Sequence, residues 1–398
     1  MISILCNYFL GLHLAKRSPK TLWRKKLLLI LTLGANLAVL LWFKDWGGSA
    51  GLPLGISFYT FQILSYQIDV YRGEVSREYS FLKFATYVIM FPKLISGPIT
   101  RYGDISDSLT ERTFTVRGRG RRYEAVYSGT GRPRCYWQTG WGILWHEVQV
   151  TGFESISTPL AWLAAIAYSM EIYFDFWGYS LMAMGLGRMM GIELPANFRR
   201  PYMARSVRDF YRRWHMTLGQ WFCRYVYIPL GGSRQGELRT IFNLLVVWML
   251  TAFWHGAGWN FFCWGGLLWI CIVLERQLGR LKFVHKMKVL PHIYLWLVIP
   301  MSWMCFAITD LSQLQVYLDK MLWLVPGFSG GYEDAWKALS TYGGLLLVSG
   351  LACTPVIEKL YHKWQDKLPV KVLLSGLFWY CIWRLLLEGN NPFMYFSF

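Results

Sequence analysis

Residues 209–234 read DFYRRWHMTLGQWFCRYVYIPLGGSR, and residues 250–260, beyond an apolar run, read LTAFWHGAGWN. At 100° per residue the first stretch plots as an amphipathic helix. Phe210, Trp214, Leu218, Trp221 and Tyr225 share one face, and Arg212, Arg213, Gln220 and Arg224 stand away from it. His215 falls at the edge of the apolar arc, beside Phe222. Pro229 and the pair Gly231-Gly232 predict the end of this helix, because proline lacks the N–H donor and glycine admits left-handed turns. After Arg239 the run from Ile241 to Phe253 leads into a second histidine, His255, between Trp254 and Gly256. Two histidines thus belong to one basic, aromatic, membrane-adjacent unit, and that unit is the candidate active site.

The rest of the composition agrees with a membrane setting. Of 398 residues 54% are hydrophobic, 18% aromatic and only 16% charged, whereas a soluble domain carries about 25% charged residues. Apolar runs of bilayer-spanning length recur along the chain, so the fold class is all-α: a polytopic integral membrane protein of roughly eight to ten membrane helices, re-entrant and interfacial pieces included, around a central cavity. The net charge of +18 does not point to nucleic acid. Its bases cluster in short loops between apolar runs, at 16–26, 199–213, 276–288 and 359–371, as in cytoplasmic loops that meet anionic headgroups. No nucleic-acid motif accompanies them. The eight cysteines form no CxxC pair or metal-ligand spacing, so they read as small apolar fillers and no metal site is expected.

Before the central unit, Leu27 to Trp46 is a plausible span. The segment GLPLGISFYTFQILSYQIDVYRGE carries Gln62, Gln67 and Asp69, which suits a helix facing the protein interior. FLKFATYVIMFPKLISGPITRY holds Pro92 and Lys93 within a span, where proline kinks the helix and Gly97-Pro98 ends it. From Glu111 to Gly140 the sequence turns rich in arginine and glycine without apolar period and reads as a disordered extramembrane loop. Helical character resumes at Pro159, with Glu171 and Asp175 one step of four apart and so on one face. Inside a span two carboxylates suit a polar tunnel, or a structural bridge to Arg188 or to tyrosines. Further spans are expected at 261–274, 290–308, 339–355 and 370–387, and no internal repeat is visible.

A histidine titrating near neutrality takes a proton from a hydroxyl and returns it to a leaving group. In a dry aromatic cavity it also excludes hydrolysis. Acyl transfer to an alcohol needs such a base and a donor for the oxyanion. His255 and His215 are the candidate catalytic pair, and Gly256 and Gly258 suit close approach of a substrate. Arg212, Arg213, Trp214, Trp254 and Asp175 are the candidate substrate contacts, with the arginines, Arg224 among them, placed to steer an anionic carrier or polymer. By spacing alone the two histidines suit interfacial or hydrogen-bonding positions better than catalytic ones, and a transporter lining its path with these charges is the non-enzymatic alternative.

The stretches LPLGISFYTFQILSYQIDVYRGE, FPKLISGPITRY, NFRRPYMARSVRDFYRRWHMTLGQWFCRYVYIPLGG and LTAFWHGAGWNFFCWG together resemble the membrane-bound O-acyltransferase family. Within it they are most similar to the bacterial branch of alginate O-acetyltransferase-like and D-alanyl-lipoteichoic acid transferase-like proteins. The resemblance implies transfer of an acyl group, most simply acetyl, onto hydroxyls of an extracytoplasmic polysaccharide, with D-alanyl transfer to teichoic acid as the alternative. It implies a functional histidine in the WHG context, matched by His255, and a second in the RRWH context, matched by His215. It further implies no bound cofactor but an acyl donor as co-substrate, acetyl-CoA or an acyl carrier. The implied partners are membrane lipids, a glycopolymer acceptor and an acyl-carrier protein or secreted acetyltransferase; the implied location is a bacterial cell membrane, crossed several times. On this reading 1–398 is one membrane-embedded domain that lacks the family's first N-terminal helices. The segment 111–142, where relatives carry an apolar helix, is atypical and suggests two compensating frameshifts in the underlying DNA or a sequencing error.

Overall fold

The computed structural model describes residues 2–14, 22–46, 53–111, 135–279, 289–324 and 332–388. Among these there is no strand. The α-helices are α1 (Ile2–Leu14), α2 (Leu22–Leu41), α3 (Ile56–Arg72), α4 (Phe81–Ile89), α5 (Phe91–Leu94), α6 (Tyr102–Thr110), α7 (Cys135–Thr151), α8 (Thr158–Met189) and α9 (Val207–Tyr211). They continue with α10 (Met216–Phe222), α11 (Glu237–His255), α12 (Trp259–Leu278), α13 (Leu290–Ala307), α14 (Leu311–Met321), α15 (Glu333–Ala352), α16 (Pro355–Trp364) and α17 (Leu368–Glu388).

Among the described residues four segments are long and apolar enough to cross a bilayer: Leu22–Lys44, α11, α12 and α13. The pair α15 and α16, bent by 74°, makes a fifth if taken as one broken span. The chain is therefore an all-helical multi-pass membrane protein. Of the other apolar runs, some form single helices, as at Thr158–Met189 and Leu368–Glu388, and some are interrupted. Around Pro92 the run divides into α4 and α5 at Met90, whose φ of −55° and ψ of 111° leave the helical region. In α3 the polar residues Gln62, Gln67 and Asp69 are all buried, as bilayer physics requires of groups that need partners.

The chain divides into two compact units, Met1–Val126 with Ser180–Ala196, and Tyr127–Tyr179 with Asn197–Phe398. In the first unit α1, α2 and α3 pack on one another. Asn7 and Asn36 each donate their amide N–H to the other's Oδ1, at 2.9 and 2.8 Å, and Gln67 Nε2 donates to the Asn7 carbonyl at 2.6 Å. The turn into α3 needs glycine at 55: its φ is +73°, and a Cβ there would lie 2.2 Å from the Leu94 carbonyl oxygen. Lys93 is fully buried, donating to Thr100 Oγ1 at 2.7 Å and resting 4.1 Å from the Tyr87 ring centroid.

In the second unit α12 packs against α11 and α13, α13 against α14, and α7 against α15 and α17. Tyr317 Oη on α14 donates to the Ala161 carbonyl at 2.7 Å, and Trp162 Nε1 donates to the Met321 carbonyl at 2.9 Å. Asp334, at the start of α15, accepts from Ser157 N and Oγ at 2.8 and 2.6 Å. The loop expected up to Gly140 does not hold for its last residues, 135–140, which are helical. Residues 112–134 lie outside the described residues, but α7 begins at Cys135. Trp141, Leu144, Trp145 and Val148, spaced as one helical face, are buried, and Trp141 Nε1 donates to Ser349 Oγ at 3.0 Å.

The central unit is not one helix either. The stretch from 207 divides into α9, a turn through Arg212–His215, α10 and a π turn at Cys223–Tyr227. His215 takes the left-handed conformation, φ 43° and ψ 53°. Phe210, Trp214, Leu218, Trp221 and Tyr225 are nevertheless all buried, so the apolar face persists across the break.

The reciprocal Asn7–Asn36 pair yields a test of the first unit. Asn36→Leu strands the Asn7 amide in the interior and is expected to cost about 1–3 kcal/mol, read as a lowered thermal midpoint of the detergent-solubilised protein. Replacing both residues by leucine recovers most of that loss.

Candidate active site

The turn that carries His215 is clipped to residues 197–199. Arg199 N–H donates to the Arg213 carbonyl at 2.9 Å, and Met216 N–H donates to the Asn197 carbonyl at 2.9 Å. Asn197 is almost wholly buried, and its Oδ1 lies 3.0 Å from His215 Nδ1, 3.0 Å from Thr217 Oγ1 and 3.3 Å from Thr217 N. Upstream, the Glu275 carboxylate on α12 accepts from the Val207 and Arg208 backbone N–H groups and so holds the start of α9. Tyr202 Oη donates to the Ser169 carbonyl on α8 at 2.8 Å. His215 is therefore placed by bonds from several elements rather than by one helix.

A cavity of about 140 Å³ lies beside this turn. His215 and Trp214 border it from the turn, Asp175 and Phe176 from α8, and Thr251 and His255 from α11. Aromatic rings make up most of the remainder, Tyr211, Trp248, Trp264, Trp303 and Phe306, together with Ile172, Leu218, Gly219 and Val247. The His215 ring meets Phe176 edge-on, with centroids 4.7 Å apart. The His255 ring meets Phe306 at 4.9 Å and Trp264 at 5.3 Å, both edge-on. Burial pushes the pKa of His215 below the usual imidazole value, so the ring is held neutral.

The structure brings His215, His255, Trp214 and Asp175 to one cavity. Trp254 does not line it. Its ring lies behind both imidazoles, 4.7 Å from His255 and 6.2 Å from His215 by centroids. Arg212 is exposed, and Arg213 pairs with Asp209 at 2.9 Å; neither borders the cavity. Glu171, one turn before Asp175, is buried with its Oε1 placed 2.7 Å from where a Cβ at Gly142 would stand. Among the described residues no group of three His, Cys, Asp or Glu side chains is arranged to hold a metal ion.

The expectation that Gly256 and Gly258 leave room for a substrate is corrected. A Cβ at Gly256 would meet Phe261 Cε2 at 2.4 Å, and one at Gly258 would meet Asn260 Oδ1 at 2.4 Å. Those spaces are filled by the chain itself. Asn197, Thr251, Trp248, Trp264, Trp303 and Phe306 went unmarked in the sequence. The aromatic members lie in apolar runs that look alike in any membrane helix. Asn197 stood within a quoted motif, but nothing in its spacing announced a partner 18 residues away.

Residues 70–313, more than half of the chain, match the model of the MBOAT, membrane-bound O-acyltransferase family. The chain is 34% identical over 327 residues to a probable alginate O-acetylase of Pseudomonas putida, covering 77% of this chain and 67% of the relative. It is 32% identical over 380 residues to a peptidoglycan O-acetyltransferase of Helicobacter pylori, covering 81% and 69%. To a teichoic acid D-alanyltransferase of Bacillus subtilis it is 26% identical over 281 residues, covering 64% and 67%. It spans 62% of the probable alginate O-acetylase of Pseudomonas aeruginosa and 50% of that of Pseudomonas syringae. A family model matched over most of the central unit, with relatives above 30% identity along three quarters of the length, places the chain in the membrane-bound O-acyltransferase family.

Proposed function

We propose that the aromatic cavity is the reaction chamber of an O-acetyltransferase that modifies hydroxyls of an extracytoplasmic polysaccharide, in a bacterial cytoplasmic membrane. One observation carries this reading: two imidazoles, on segments 40 residues apart, border the same largely aromatic cavity. The greater identity to O-acetyl-transferring relatives, 32–34% against 26% for the D-alanyltransferase, supports acetyl as the group moved.

In this mechanism the acceptor hydroxyl loses its proton to an imidazole while its oxygen attacks the acyl carbonyl carbon. The tetrahedral oxyanion that forms is met by a hydrogen-bond donor and collapses, expelling the donor's leaving group. For a thioester that group is a thiolate, which recovers the proton from the imidazolium. Asp175 accepts from a neighbouring hydroxyl of the sugar and fixes its angle of approach. Exclusion of water by the aromatic wall spares the acyl group from hydrolysis. The acyl donor, acetyl-CoA or a carrier protein, enters as co-substrate, and no resident cofactor is required. Arg212, exposed beside the turn, meets the anionic donor or polymer before the cavity does.

D-alanyl transfer to teichoic acid is the second reading. The feature that favours it is Asp175, a carboxylate suited to the D-alanyl ammonium.

Three measurements test the proposal. His255→Ala and His215→Ala should each lower polysaccharide acetylation about 10²- to 10⁴-fold, measured by mass spectrometry of the polymer, with the protein still inserted in the membrane. Undiminished acetylation in both variants would falsify the proposal. Trp248→Ala enlarges the chamber and should shift donor use from acetyl towards butyryl thioesters, read as the ratio of the two transfer rates. Asp175→Asn should raise the KM for the acceptor about tenfold or more, consistent with loss of about 1.5 kcal/mol from a hydrogen bond to a charged group, and leave the KM for an acetyl donor unchanged. Loss of D-alanyl-donor binding in that variant would select the second reading instead.

A further inference from the structure

The Asn197 amide settles which ring nitrogen of His215 carries the proton. Three groups converge on its Oδ1: His215 Nδ1 at 3.0 Å, Thr217 Oγ1 at 3.0 Å and Thr217 N at 3.3 Å. A backbone N–H only donates, so the amide atom facing Thr217 N is the oxygen and not the NH₂. A carbonyl oxygen only accepts, so His215 Nδ1 must donate to it. In a neutral imidazole with Nδ1–H, Nε2 holds the lone pair.

We propose that Asn197 is a positioning residue that locks His215 in the Nδ1–H tautomer, making it the proton-accepting imidazole of the cavity. This rests on the acetyl-transfer reading above and names the division of labour within it. A neutral His215 so tethered offers no N–H to an oxyanion, so that task falls to another group on the cavity wall. The tether is built rather than incidental. Asn197 is 1% exposed and His215 4% exposed. The same Asn197 residue takes the Met216 N–H on its main-chain carbonyl at 2.9 Å, so one residue fixes both the backbone and the ring. The titratable groups sharing the cavity with His215 are Asp175 on α8, Tyr211 on α9 and His255 on α11; no lysine or arginine lines it among the described residues.

The tautomer is measured directly, apart from activity. Full-length protein containing ¹⁵N-labelled histidine, in lipid bilayers, is compared with His215→Gln to identify the His215 ring signals by solid-state NMR. A protonated Nδ1 and an unprotonated Nε2 are expected, and the reverse assignment overturns the proposal. Function is then read with acetyl-CoA as donor and de-acetylated alginate as acceptor. Asn197→Asp keeps an acceptor oxygen opposite Nδ1 and both Thr217 contacts, so the fold is retained. Its negative charge stabilises the imidazolium and raises the His215 pKa, so the ring becomes protonated at higher pH and stops accepting. The acid limb of kcat should therefore move up by about one to two pH units. Asn197→Ala should lower kcat about a hundredfold with the KM for acetyl-CoA unchanged. A merely structural role would lower the yield of folded protein in both variants and leave the acid limb where it was; that result, or an Asn197→Ala variant with wild-type kcat, overturns the proposal. Full transfer by His215→Gln would sink the acetyl-transfer chemistry assigned to His215, while leaving a correct tautomer in place.

Discussion

Arg199 N–H to the Arg213 carbonyl, and Met216 N–H to the Asn197 carbonyl, both at 2.9 Å, hold the turn on which the site is built. Forcing a non-glycine residue into the left-handed region costs on the order of 1–2 kcal/mol, and His215 sits there at φ 43°. Two backbone hydrogen bonds contribute about 0.5–1.5 kcal/mol each, with the Thr217 contacts to Asn197 in addition. The bonds outweigh the strain, and the strain has a use. A helix continuing through 215 would carry the imidazole away along its axis, whereas the left-handed residue turns α10 out of line with α9 and keeps the ring against Asn197.

That turn is in turn anchored by groups unavailable to an isolated peptide. Glu275 on α12 takes the first two N–H groups of α9, placing a negative charge at a helix start where backbone donors lack partners. Trp214 then meets Phe210, Phe198 and Trp303 with centroids 5.0–5.5 Å apart. Such ring pairs are worth about 0.5–1.5 kcal/mol each beyond the area they cover, and aromatic side chains have few torsions to lose. The wall of the cavity is stiff for that reason. A chamber lined by leucines of similar volume would have more rotamers with which to collapse into its own space.

The sequence made much of this legible and hid the rest for identifiable reasons. Apolar runs with basic loops gave a multi-pass helical protein; the span at 261–274 falls within α12, and that at 290–308 matches α13 to one residue. The face formed by Phe210, Trp214, Leu218, Trp221 and Tyr225 is buried throughout, because helical periodicity survives a local break when the turn keeps the register. The break itself was illegible, since its cause is a carbonyl at Asn197 and not a proline or glycine nearby. Similarly, α7 begins at Cys135 inside a stretch whose arginine and glycine content suggested a loop. There the decisive signal was the spacing of Trp141, Leu144, Trp145 and Val148, which average composition concealed. Arg212 and Arg213 were grouped with the histidines by adjacency in sequence, yet Arg212 is exposed and Arg213 pairs with Asp209, so of residues 212–215 the cavity takes Trp214 and His215 only.

Two of the Trp-His pairs in the chain, 214–215 and 254–255, look equivalent in sequence and do different work. In the first, tryptophan and histidine both border the cavity, because the left-handed turn lets consecutive side chains face the same space. In the second, the pair lies at the end of α11, where successive side chains diverge by about 100°. His255 borders the cavity and Trp254 is turned behind it, into contact with both imidazoles. The glycine that follows has φ 174°, an extended backbone open to any residue, so its presence is not a matter of conformation. It is a matter of space: a Cβ there would strike the Phe261 ring at 2.4 Å, and that ring packs on Phe306, which closes the cavity beside His255. The tripeptide Trp-His-Gly thus encodes a ring packed against both imidazoles, an imidazole bordering the cavity and a gap for a neighbouring ring.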